Sequence, residues 1–190
     1  MLTRSFIVTA MLLLSWPGHS YAQEFSADTV SMVNGVEIIG KFYYKPDRWR
    51  MAFETNGIHQ ATIFRKDKKV VWQFDSAGKQ YVEYSLEDKD IAAFAKGEIE
   101  GEYKRELLGK EKVRERNALK YKVFYVDRKK NYLFQWIDEE LKLPVKVTDK
   151  NGQLITEYRN MKIEPQAAEL FELPKGYTKE VSRGNKQKLH

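Results

Sequence analysis

The sequence predicts a mainly β fold: an antiparallel meander of about ten to eleven strands, curled into a half-barrel, with one helix covering its concave apolar face. Three observations lead there. Short runs of four to nine residues alternate apolar and polar side chains, Asn-Gly and other tight-turn signals separate them, and a single amphipathic stretch with helix-capping chemistry interrupts them.

The chain opens on Arg4, an apolar run from Phe6 to Trp16, and the small-x-small residues Ser20-Tyr21-Ala22 before Gln23. That is the pattern of an export signal cleaved after Ala22, and the run is shorter than the roughly 20 apolar residues a spanning helix needs. The expected organisation is a signal peptide at 1–22, one domain at 23–178 and a disordered basic tail at 179–190. Loss of Arg4 lowers the net charge of +6 by one. The remaining basic residues are interspersed with acids, which excludes a nucleic-acid patch. Cysteine is absent. Disulfides, thiolate nucleophiles, zinc–cysteine sites and a bacterial lipid attachment point are absent with it.

Six strands are predicted first: Phe25–Met32, Val36–Tyr44, Trp49–Thr55, Gln60–Arg65, Val70–Phe74 and Gln80–Tyr84. Asn34-Gly35, Lys45-Pro46-Asp47-Arg48, Asn56-Gly57, Asp67-Lys68-Lys69 and Ser76-Ala77-Gly78-Lys79 connect them as hairpins, so the sheet should follow chain order. A helix is predicted from Leu86 to Lys96, capped by Ser85, with acids at Glu87, Asp88 and Asp90 near its start and Leu86, Ile91, Phe94 and Ala95 on one face. Further strands are predicted at Glu106–Val113, Leu119–Val126, Tyr132–Ile137, Val145–Thr148 and Gln153–Met161.

Alternation places Trp49, Met51 and Phe53 on one face of their strand, and Trp72 and Phe74 are expected to extend the same broad apolar surface. A twisted sheet with one such face curls around whatever covers it. Periodicity alone leaves open whether the enclosed space is a cavity or a filled core.

Several segments together resemble the periplasmic lipoprotein-carrier superfamily of LolA and LolB types. They are Gly40-Lys41-x-Tyr43-x-Lys45-Pro46-x-x-x-Arg50-Met51, Arg65-x-Asp67-Lys68-Lys69-x-Val71-Trp72, Trp136-Ile137-Asp138-x-x-x-x-Leu143-Pro144-Val145-Lys146 and Leu170-Phe171-x-Leu173-Pro174-x-Gly176-Tyr177. Their order is most similar to an uncharacterised branch linked to outer-membrane lipoprotein sorting. The resemblance implies a half-barrel closed by helices around an apolar cavity for acyl chains. On this sequence the cavity residues would be Phe42, Tyr44, Trp49, Met51, Phe53, Trp72, Phe74, Ile91 and Phe94, with Lys45 and Arg50 at the gate or rim. Lys45 stands where the carrier has arginine, and no helix precedes the first strand.

The expected function is therefore a periplasmic, unanchored binding protein that carries or sorts lipid or lipoprotein acyl chains. It would be a monomer with transient membrane contact and with no catalytic residues, metal or cofactor. The alternative is an envelope sensor that binds a partner protein through the curved sheet and carries no lipid. His59 reads as a surface turn residue, and Glu139-Glu140 and the basic hairpin residues Arg65, Lys66, Lys68, Lys69 and Arg128–Lys130 as solvated charges.

Overall fold

The computed structural model describes residues 23–87, 103–125 and 132–180. Twelve strands form one open, curled sheet: β1 (Phe25–Val33), β2 (Val36–Lys45), β3 (Arg48–Thr55), β4 (Ile58–Arg65), β5 (Val70–Asp75), β6 (Gln80–Ser85), β7 (Tyr103–Val113), β8 (Arg116–Tyr125), β9 (Tyr132–Asp138), β10 (Pro144–Asp149), β11 (Leu154–Ile163) and β12 (Thr178–Lys179). The spatial order is β12-β6-β5-β4-β3-β2-β1-β11-β10-β9-β8-β7. The meander expected in chain order is thus two meanders, β1–β6 and β7–β11, joined by pairing of β1 with β11. Strands β6 and β7 lie toward opposite ends of the sheet.

The tight turns follow from their residues. Asn34-Gly35 and Asn56-Gly57 both carry two consecutive positive φ angles, 51° and 79° in the first and 53° and 76° in the second. That is the left-handed pair whose twist matches flanking antiparallel strands. Gly40 in β2 is needed for space instead: a Cβ there would lie 2.8 Å from the Ala52 carbonyl oxygen and 2.9 Å from Thr29 Oγ1.

Pairing gives the sheet two distinct faces over β1–β6. On face one, Phe25 pairs with Tyr44, Tyr44 with Trp49, Trp49 with Phe64, Phe64 with Val71 and Val71 with Tyr84. On face two, Arg50 pairs with Ile63 and Ile63 with Trp72. Trp72 and Phe74 therefore lie opposite Trp49, Met51 and Phe53, a correction to the single aromatic surface expected from alternation. The cause is one residue of loop. A three-residue connection at 67–69 would pair Phe64 with Trp72, but Arg65 pairs with Val70 across four residues, and every side chain of β5 changes face.

A further correction concerns what covers the sheet. No α-helix occurs among the described residues, and the predicted helix, with Ile91, Phe94 and Ala95, lies outside them except for its first residues. Its expected cap, Ser85, closes β6, and Leu86 is buried on face one. Face two is covered by the chain after β11. It runs through a 3-10 turn at Ala168–Phe171 and then pairs β12 in parallel with β6. Residues 178–180 are consequently part of the domain: the N–H groups of Thr178 and Glu180 donate to Lys79 and Tyr81 carbonyls.

Candidate functional site

Face one carries an aromatic core. Phe25 and Phe42 are fully buried and Trp49 is 2% exposed. Phe42 stacks on Tyr158 and Trp49 on Phe64, each with ring centroids 5.0 Å apart, and Tyr44 lies 5.1 Å from Phe25. Burial pushes the Tyr44 and Tyr158 phenols upward in pKa, so both remain neutral, as suits an apolar layer. Three leucines from connections close this layer: Leu86 after β6, and Leu141 and Leu143 in the turn between β9 and β10.

The second turn is held by a buried carboxylate. Asp138, 1% exposed, accepts the backbone N–H groups of Glu140 and Leu141 at 2.9 and 2.7 Å, and its two oxygens receive the fork of Arg116 at 2.7 and 2.9 Å. Burial alone would raise its pKa, but Arg116 and the two N–H groups outweigh it and hold the carboxyl below the usual range. The Trp136-Ile137-Asp138…Leu143-Pro144 segment thus works as a pinned turn that presents Leu141 and Leu143 to face one.

Five of the expected cavity residues meet on this face. Phe42, Tyr44 and Trp49 belong to its filled part, whereas Met51, 41% exposed, and half-buried Phe53 continue the row outside it. Trp72 and Phe74 do not join them. They pack on face two with Ile63, Phe171, Leu170, Leu173 and Tyr81. The terminal Leu170-Phe171-x-Leu173 segment is hence a strap that covers the outer aromatic row, and Phe171 is fully buried beneath it.

The two expected rim residues have different roles. Lys45 pairs with Glu24 at 3.1 Å. Arg50 points to face two, where its guanidinium donates to the Leu170 carbonyl at 3.0 Å and lies 5.8 Å from the Phe74 ring. Arg65, expected to be solvated, is 3% exposed and ties the strap down. It donates to the Phe171 carbonyl at 3.0 Å, pairs with Glu172 at 2.5 Å and forks onto Asp67 at 2.8 and 2.7 Å. The fork holds the Asp67 carboxyl down to about 2.

His59 is exposed and lies 3.1 Å from Glu54, and Glu140 is an exposed partner of Arg116. Residues 128–130 lie outside the described part. Among the described residues, no group of three or more His, Asp or Glu is placed to hold a metal ion, and no helix is long and apolar enough to cross a membrane.

Sequence reasoning missed the strap and β12. The Leu170-Phe171-x-Leu173 segment falls inside the expected domain, and its apolar residues were the signal that it packs on the sheet.

No protein-family profile and no curated protein matches the chain. Solved structures do. An uncharacterised conserved protein of Thermus thermophilus aligns with a TM-score of 0.58 at 17% identity, over 84% of this chain and 90% of the other. MucB aligns with a TM-score of 0.55 at 15% identity over 82% of this chain, which spans 58% of MucB. The Pseudomonas aeruginosa MucA/MucB complex gives 0.52 at 16% identity, over 79% of this chain and 56% of that one. What is shared at these identities is the fold, an open curled antiparallel sheet.

Proposed function

We propose that this protein is an exported, periplasmic, non-catalytic binding module that takes the apolar part of an amphiphile, such as lipoprotein or lipid acyl chains, on face one. One observation carries the reading. Among the described residues, the aromatic layer of Phe25, Phe42 and Trp49 is closed by leucines from connections, and the side chain of Leu86, which lies beyond the end of β6, can turn away without breaking strand pairing.

The energetics favour exchange over tight capture. Withdrawing one buried leucine costs about 1.5–3 kcal/mol, and each buried methylene of a ligand returns about 0.8 kcal/mol. Two to four methylenes therefore offset Leu86, and the remainder of an acyl chain supplies the affinity. Met51, exposed beside this layer, extends the surface such a chain would follow.

Leu86→Ala tests the reading. It should lower stability while tightening binding of an apolar dye that fatty acid displaces. If stability and dye binding fall together, Leu86 is only core and the amphiphile reading fails.

A second reading has one specific support: MucB has been solved in complex with MucA(peri). On that reading the curved sheet engages a partner protein. Gentle purification separates the two, since an amphiphile carrier retains extractable lipid, whereas a partner module retains one protein and no lipid.

A further inference from the structure

On face two, beside the strap, a groove of about 480 Å³ runs between β2–β5 and the C-terminal segment. Its lining is mixed: Ile39, Ala52, Ala61, Phe74, Pro174 and Tyr177 are apolar, and Lys41, Arg50, Glu54 and His59 add polar groups. The Tyr177 ring meets the Phe74 ring edge-on at 5.2 Å. This volume lies within the range of small-molecule sites, which are mostly apolar with a few placed polar groups.

Lys41 pairs with Asp28 and Glu54 with His59, which leaves Arg50 as the polar group aimed at a ligand. Its guanidinium lines the groove, donates to the Leu170 carbonyl, and has a buried Nε with no hydrogen-bond partner. No carboxylate among the described residues pairs with it, in contrast to Arg65 and Arg116, each of which holds two. A cation withdrawn from water without a counter-charge is costly, and it is retained where an anion arrives to neutralise it. Desolvation lowers the Arg50 pKa, with Tyr43 and Tyr177 opposing the shift, and the group stays charged at neutral pH.

We propose that this groove is a binding site for a small organic anion of the arylalkyl carboxylate class, its carboxylate on the Arg50 guanidinium and its apolar body between Phe74, Ala61 and Tyr177. A planar guanidinium offers forked donors that fit a carboxylate, and the ring edges suit a flat apolar body. The site lies on the opposite face of the sheet from the amphiphile surface, so the two readings stand or fall separately.

The test is a titration of the full chain with indole-3-acetate and with its uncharged primary amide, followed by backbone-amide NMR shifts. The carboxylate should move Ala52, Ala61 and Tyr177 and bind at least about tenfold more tightly than the amide, a difference of about 1.4 kcal/mol. Arg50→Met, which keeps the apolar bulk and removes the charge, should abolish that preference. Ala52→Leu, which fills the groove while leaving Arg50 in place, should weaken both ligands and keeps the test decisive if Arg50→Met fails to fold. Equal binding of acid and amide, shifts confined to face one around Met51 and Thr62, no saturable shift at millimolar ligand, or a preference that survives in Arg50→Met would each overturn the proposal.

Discussion

Replacing Phe171 by alanine asks whether the C-terminal strap belongs to the cooperative core. Phe171 is fully buried against Ile63 and Trp72, and its own carbonyl and that of Leu170 accept from Arg65 and Arg50. Truncating a buried phenylalanine costs about 3–5 kcal/mol, including the cavity left behind. For a chain of this size about 2–4 °C of melting temperature is lost per kcal/mol, so Phe171→Ala should melt about 6–20 °C below the wild type. Calorimetry measures the fall, and hydrogen exchange should show faster exchange at Thr178 and Glu180, whose N–H groups β12 binds to the sheet edge. Val36→Ala is the control, since Val36 is 63% exposed and should leave melting unchanged. A fall of less than about 2 °C, with Thr178 and Glu180 still protected, would refute the assignment of the strap to the core.

Asp67 makes stability depend on acid. Its folded pKa of about 2 lies below the ordinary 3.8, so its contribution is complete above about pH 5 and disappears as pH falls toward 2. Discounted for a side chain 30% exposed, that is about 1–2 kcal/mol. Asp67→Asn should lose this amount at pH 7 and flatten the melting profile between pH 5 and 2, and an unchanged profile would count against the Arg65 fork. Trp49→Asp would bury an unpaired charge in the face-one layer and should leave the chain unfolded at room temperature by circular dichroism; native-like melting would contradict that placement. Gly40→Ala forces a Cβ to 2.8 Å from a backbone oxygen. About 1–3 kcal/mol should be lost in denaturant titration, and a neutral result would mean β2 and β3 separate more easily than their pairing implies.

The strand inventory was largely legible because its signals are local. Alternation and Asn-Gly turns located β1–β6 and β8–β11 to within a few residues, and even the charged β7 region read as a strand. The dipeptide turns need positive φ at consecutive positions, a property of those residues whatever surrounds them. The apolar character of Phe42, Tyr44 and Trp49 was equally plain, and these residues do form one layer.

Long-range pairing decided the rest. Alternation assigns Trp49, Met51 and Phe53 to one face and Trp72 and Phe74 to one face, but it cannot say whether the two faces coincide, because a single residue in the connection from Arg65 to Val70 exchanges them. In sequence Arg50 reads as a rim residue and Arg65 as a solvated hairpin charge, and neither reading says which of them is buried or paired. The strap's return across face two gave Arg65 two carboxylates and a carbonyl, and left Arg50 with a carbonyl and an unpartnered nitrogen. Residue type thus determined which elements form and which side chains are apolar. That Arg65 is buried and paired while Arg50 lacks a counter-charge depended on chain segments more than a hundred residues apart meeting in space, and no local pattern encodes that.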